Sequence, residues 1–320
     1  MSLSYFVCRM ILTFITIFLA ITVSFILIRA LPGNPAERFY GDPRIPEEVK
    51  QEIKAAFGLD KPVIIQYLMF LKEAIKGNLG ISYTYNRPVV SVVLERLPWT
   101  LTLTAVPTIL SMLASLWIGV YIGCNRGKFA DRLTRYFAFA LHSVPTFWFA
   151  LLLVMLLSYY LGIFPLQGMF DPRTTGLQKF LSLLHHAALP WLTLFTISVP
   201  GFAIYVRNMV VTVLKEDFIQ TAKAKGLKES QIRRRHILRV VIGPLFSMLT
   251  LRIAGMIGGA VLIETVFSWK GMGLLVLEAS RNSDYPLLQA TVIITIITTI
   301  LANFFADLLQ ATFDPRVRFE

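Results

Sequence analysis

The chain has 320 residues, of which 55% are hydrophobic and 16% charged, with a mean hydropathy of +0.64. Such a composition excludes an ordinary soluble domain of this size and points to a protein embedded in a lipid bilayer. The net charge of +12 does not argue for nucleic acid, because Lys and Arg cluster between apolar runs and form no aromatic-interleaved patch.

The first apolar run, residues 10–28, follows Arg9. Its polarity is that of a signal peptide, but it is nearly span-length and no small-x-small cleavage site follows, so it is expected to stay as an uncleaved anchor. Two prolines and a glycine in Arg29-Ala30-Leu31-Pro32-Gly33-Asn34-Pro35 then stop the helix. Residues 36–97 carry nine Lys plus Arg against eight acidic residues, as expected of a folded loop on the outer face. Within it Pro46 opens a helix with Val49, Ile53 and Phe57 on its apolar face and Gly58 at its end, and Asp60 is placed to cap a second that runs to Ile75. The aromatics Tyr67, Phe70, Tyr83 and Tyr85 fit core packing of this small cap better than ligand stacking.

A second span is expected over 99–123, then a basic loop with Arg126, Lys128, Arg132 and Arg135 against Asp131. The third span, 136–161, contains Ser143-Val144-Pro145-Thr146-Phe147-Trp148, where proline breaks the backbone ladder and predicts a kink that can serve as a hinge. The outer loop 162–187 ends in His185 and His186; adjacent residues project differently on a helix, and no further ligand makes them a metal site. The fourth span, 189–206, reads as short and interrupted by Pro190 and Pro200. Nine Lys plus Arg against three acidic residues between positions 207 and 239 make the strongest positive-inside signal in the chain.

That basic segment has its own pattern. Residues 217–225 predict a short helix with Glu216 and Asp217 at its N-terminal end and Gly226 as a left-handed cap, and a second helix starts near 228–230. Phe218, Ala222 and Lys225 share one side, and small Ala222 and Ala224 leave room for a partner's backbone. The fifth span, 240–265, holds Gly255, Gly258 and Gly259 as close-packing positions and ends near Glu264. Two readings of Glu264 stay open: it lines a translocation path, or it has a structural hydrogen-bonding role. A third outer loop with Asp284, Tyr285 and Pro286 leads to a sixth span, 288–309, which contains Asn303 and Asp307.

Thr221, Ala222, Ala224, Lys225, Gly226 and Leu227, followed by His236, Leu238 and Arg239, resemble the coupling loop of permease subunits in ATP-binding-cassette importers of the dipeptide, oligopeptide and nickel branch. Gln220 stands where the wider superfamily has glutamate, and Val240 replaces the branch's usual asparagine. The proline-glycine stop after the first span, the Ser-x-Pro-x-Phe-Trp segment and the run from Ile263 to Gly273 are similar to the same branch, with Lys270 in place of a proline and Met272 of a leucine.

The resemblance implies an all-α membrane protein with six transmembrane helices, a folded extracytoplasmic loop after the first and a cytoplasmic coupling-helix loop between the fourth and fifth. The organisation expected is an anchor helix (1–31), an extracytoplasmic helical loop (32–97), a permease core (98–310) containing the coupling loop (207–239), and a cytoplasmic tail (311–320). The ATPase-coupling residues would be Asp217, Gln220, Thr221, Ala222, Ala224, Lys225, Gly226, Leu227, Arg235 and His236. The path or gate would involve Pro145, Phe147, Trp148, Glu264 and Phe267. No phosphate-binding loop occurs in the sequence, so ATP and magnesium are expected on partner subunits and no cofactor on this chain. The implied partners are two cytoplasmic ATPase subunits, a second homologous permease, an extracytoplasmic solute-binding protein and a peptide-like substrate. Nickel, a metal chelate or glutathione are alternative cargoes, and an ATP-independent carrier or channel is the alternative of another class. Six spans place both termini in the cytoplasm, with the protein in the inner membrane.

Overall fold

A computed structural model describes residues 3–30, 48, 51, 61–255 and 261–313. The stop at 31–35, the outer-loop helix closed by Gly58, the cap Asp60, and Gly258 and Gly259 fall outside these residues.

Helix α1, Leu3–Ala30, is apolar on nearly every side, with Phe14, Phe18, Leu19 and Leu27 exposed. A helix apolar all round is a bilayer element, since lipid is as good a neighbour for leucine as protein is. It packs on the last helix, and α2, Val63–Ile75, lies against its C-terminal end. There Phe25, only 2% exposed, stacks on Phe70 and meets Tyr67, whose hydroxyl lies 2.6 Å from Thr22 Oγ1. These outer-loop aromatics therefore pack against the first span. Helix α2 ends at Gly77, whose φ of +79° turns the chain.

Helix α3, Val89–Cys124, and helix α6, Gly176–Val213, form the most extensive helix pair. Both are longer than expected. Helix α6 runs through Pro190 and Pro200 without a break, which corrects the short, interrupted fourth span and shortens the second outer loop. Two side chains tie the helices together along this stretch: Ser115 Oγ of α3 donates to the carbonyl of Val199 at 2.9 Å, and Trp191 Nε1 of α6 donates to the carbonyl of Thr102 at 3.2 Å. Two glycines permit the close approach. A Cβ on Gly119 would lie 2.7 Å from the Ala203 carbonyl, and one on Gly123 would lie 2.7 Å from Val210.

Between them, α4, Phe129–His142, and α5, Thr146–Leu153, meet at a bend of 99°. Pro145 supplies no N–H, and its φ of −59° begins α5 in a new direction; Ser143 Oγ and N–H both donate to the Phe139 carbonyl, ending α4. A kink was predicted here, but the third span is two helices, not one. Helix α5 continues into a π-helical stretch, Val154–Tyr160.

After α6 come α7, Asp217–Ala224, and the single turn α8, Glu229–Ile232, which passes through a π-helical turn, Arg233–Ile237, into α9, Leu238–Gly255. The remaining elements are α10, Val261–Val266, α11, Met272–Arg281, and α12, Tyr285–Phe313. Among the described residues, α1, α3, α6 and α12 are long and apolar enough to cross a membrane, and the bent pair makes a fifth such unit. The expected fifth span runs through residues 256–260, outside the described part.

Candidate functional site

The segment after α6 forms a compact knob. Helix α7 is amphipathic: Ile219 and Ala222 are buried, while Asp217, Phe218, Gln220, Thr221, Lys223 and Ala224 are exposed. The buried pair joins Ile232, Ile237, Val241 and Leu245 in one apolar cluster with Val206, Val210 and Val213 of α6 and Met112 and Val120 of α3. The knob is thereby bolted to the α3–α6 pair, with its basic face outward.

Its turn is held by backbone geometry. Gly226 N–H donates to the Lys223 carbonyl at 2.9 Å and Leu227 N–H to the Ala222 carbonyl at 3.3 Å, the two crossed bonds of a helix-ending Schellman motif. The motif requires a left-handed residue, and Gly226 has φ +73°. Nothing lies within 4 Å of the position a Cβ would take there, so glycine is needed for its backbone and not for space. Leu227 then packs on the cluster, and Gln231 Oε1 accepts from Lys228 N–H at 3.1 Å to start α8.

Of the predicted coupling residues, Asp217, Gln220, Thr221, Ala224, Lys225, Gly226 and Arg235 lie on the exposed face. His236 is half-buried, its ring 6.4 Å from that of Phe218. Thr221 Oγ1 is occupied by the Asp217 carbonyl at 3.0 Å. Ala222 is corrected: at 3% exposure it faces this chain's own core and offers no room to a partner's backbone. The i, i+4, i+7 side supposed for Phe218, Ala222 and Lys225 is split, because the apolar stripe is set by Ile219 and Ala222.

Glu264 and Phe267 are both buried, at 0% and 2% exposure, and of the two readings open for Glu264 its contacts fit the hydrogen-bonding one. Glu264 Oε1 accepts from Thr100 Oγ1 at 2.6 Å, and Oε2 accepts from the Leu274 N–H at 2.8 Å. Thr100 Oγ1 in turn accepts from the Met272 N–H at 2.7 Å. One carboxylate and one hydroxyl so occupy the free N–H groups at the start of α11 and tie that helix to α3 and α10. Trp269 completes the joint, fully buried, with Nε1 donating to the Trp99 carbonyl at 2.9 Å. Pro145, Phe147 and Trp148 are exposed at the α4–α5 bend.

Two further buried acids were not singled out in the sequence. Asp284 Oδ2 accepts from Ser82 Oγ at 2.6 Å and from Thr84 N–H at 2.9 Å, which clamps residues 82–84 to the turn before α12. Burial pushes the nearby Tyr83 phenol up to about 12, and the Asp284 charge adds to the rise. Asp131, also fully buried, receives the guanidinium of Arg207 in a fork, Nε to Oδ1 at 3.0 Å and Nη2 to Oδ2 at 2.9 Å. Its one sequence signal was being the lone acid in a basic loop. His185 and His186 point apart, to the carbonyls of Ile163 and Ser182, and do not converge on a common point.

This is an all-helical membrane protein with the fold of an importer's transmembrane subunit: a chain of the MetNI methionine ABC transporter in an inward-facing conformation superposes with a TM-score of 0.52 at 17% identity, over 70% of this chain and 96% of that one. Residues 115–319 match the family described as binding-protein-dependent transport system inner membrane component, and residues 2–104 match its N-terminal companion. The chain belongs to this family of ABC-importer permease subunits and is an integral inner-membrane protein. It is 34% identical to the oligopeptide transport system permease protein AppB of Bacillus subtilis, over 98% of this chain and 99% of that protein. It is 33% identical to the di/tripeptide transport system permease protein DppB of Pseudomonas aeruginosa, over 99% of each. The glutathione transport system permease protein GsiC of Escherichia coli is 30% identical, over 99% of this chain and 100% of that one.

Proposed function

We propose that this chain is one of two permeases in an importer of short peptides, driven by ATP hydrolysed with magnesium on two cytoplasmic ATPase subunits and supplied by an extracytoplasmic solute-binding protein. Both termini and the α7–α8 knob lie on the cytoplasmic side in this reading, which the excess of Lys and Arg in residues 126–135 and 207–239 supports. The observation that carries the reading is the knob itself: a stiff, basic turn that shows polar residues outward while its inner face is continuous with the α3–α6 core. Coupling requires an element with different contacts in two states, gripping a bundle that has two arrangements. The knob's exposed polar face supports the first, and the 99° α4–α5 bend, with Phe147 and Trp148 exposed, supports a hinge and a candidate gate surface for the second. Glutathione, nickel and metal chelates are the alternative cargoes for the same machinery.

Gly226→Val tests the coupling role. A β-branched residue in the left-handed region costs about 1–3 kcal/mol, and no neighbour is displaced, so the turn unwinds while insertion proceeds. The assembled complex carrying Gly226→Val is expected to lose stimulation of its ATPase by ligand-loaded binding protein at normal membrane levels of the chain. Unchanged stimulation refutes the role. Native mass spectrometry of the complex extracted from its own membrane tests partners and cargo together, and isolation of this chain without ATPase subunits, beside an intact control importer, would favour an ATP-independent carrier.

A further inference from the structure

Buried Asp131 and half-buried Arg207 join the helix that leads to the bend with the helix that leads into the knob. Arg207 lies on α6, whose helix ends at Val213 and enters α7 through a tight turn: Glu216 N–H donates to the Val213 carbonyl at 3.1 Å, and Ile219 N–H to the Glu216 carbonyl at 3.0 Å. No slack chain separates the knob from Arg207. On the other side, Asp131 is in the first turn of α4 and accepts from the Gly127 N–H at 2.8 Å, which fixes the α3–α4 turn to the same carboxylate; Arg135 Nε stands 3.7 Å away. Helix α4 then leads to the 99° bend and α5.

We infer that the Asp131–Arg207 fork is the strut through which movement of the knob reaches the α4–α5 limb. The inference rests on the coupling role proposed for the knob. A fork of two parallel bonds fixes orientation as well as distance, which a point contact or an apolar patch does not. Stability alone does not call for it, because an ion pair gains little whether it lies at the surface or in the core. Helices α4 and α6 already pack on one another, so loss of the fork leaves them adjacent but free to slide. Asp131 and Arg207 are positioning residues: they hold the angle between two helices.

The test uses the whole importer reconstituted in liposomes with its binding protein, radiolabelled trialanine as the transported probe, and ATP hydrolysis recorded in parallel. The double variant Asp131→Leu with Arg207→Met replaces the fork by apolar contact. It is expected to assemble and to hydrolyse ATP at the basal rate, while peptide moved per ATP falls about tenfold, within the range of ordinary coupling energies. A merely structural pair would lower both activities together through the amount of complex, or change neither. Arg207→Lys keeps the charge but loses the fork, and is expected to recover part of the ratio; it also decides the matter if the double variant does not accumulate. An unchanged ratio of transport to hydrolysis in Arg207→Lys and, where it assembles, in the double variant overturns the strut. Gly226→Val run alongside separates the two ideas: if it uncouples and the Arg207 variants do not, only the strut fails; if neither uncouples, the coupling role of the knob fails with it.

Discussion

The joint around Glu264 makes a sharp expectation for Gly271→Ala. A Cβ at position 271 would stand well inside van der Waals contact of Glu264 Oε1 and Thr100 Oγ1 at once. Neither atom has room to retreat, since Glu264 is held on its other oxygen by Leu274 N–H and Thr100 Oγ1 by Met272 N–H. Two relaxations are open. The carboxylate rotates and gives up the Thr100 bond, a charge-assisted bond worth about 1.5–3 kcal/mol, or the first turn of α11 shifts, an overpacking cost of about 1–3 kcal/mol. Either way the folded state loses about 1–3 kcal/mol from adding one methyl group. The assay is thermal denaturation of the assembled complex in lipid nanodiscs, with Gly201→Ala as control. Gly201 lies in α6 with nothing within 4 Å of a built Cβ, and alanine there is expected to be neutral or stabilising by up to about 1 kcal/mol. In a Thr100→Ala background one of the two clashing atoms is gone, so the cost of Gly271→Ala should fall. Equal Tm for Gly271→Ala and Gly201→Ala would refute the packing argument.

Gly119→Ala forces α3 and α6 apart against Val206 and the Ala203 carbonyl and is expected to cost about 1–3 kcal/mol; Val206→Ala should recover part of it, read as the yield of monodisperse complex in detergent. Asp284→Ala leaves the Thr84 N–H without its partner at a cost of about 1–3 kcal/mol, and faster amide exchange confined to residues 80–88 and the start of α12 is the expected result. Protection equal to the wild type would show that the clamp is not what holds residues 82–84.

The left-handed glycine was legible because the signal is local: an acidic helix start, a run of helix formers and a glycine specify a Schellman ending whatever surrounds them. Pro145 was equally legible as a break, though its angle was not, since proline removes one bond and the packing of the two halves chooses the direction. Pro190 and Pro200 misled for the opposite reason. A proline removes one backbone bond and often ends a helix in a soluble protein, but here the long packing of α6 against α3 holds the helix on through both positions. Ala222 was misplaced because a stripe of three residues leaves the facing direction open until Ile219 finds the α6 valines.

Composition and the spacing of apolar runs thus determined by themselves a helical membrane protein with a basic knob after its fourth apolar segment, because these depend on solvent preference and on backbone rules local to a few residues; the ordered motifs carried the resemblance to permease subunits. Which acids serve which purpose was decided only by the fold. Glu264, Asp131 and Asp284 look alike in sequence, but each is defined by partners distant along the chain: Thr100 for the first, Arg207 for the second and Ser82 for the third. A buried carboxylate takes its role from the donors that replace its water, and only tertiary packing brings those donors to it.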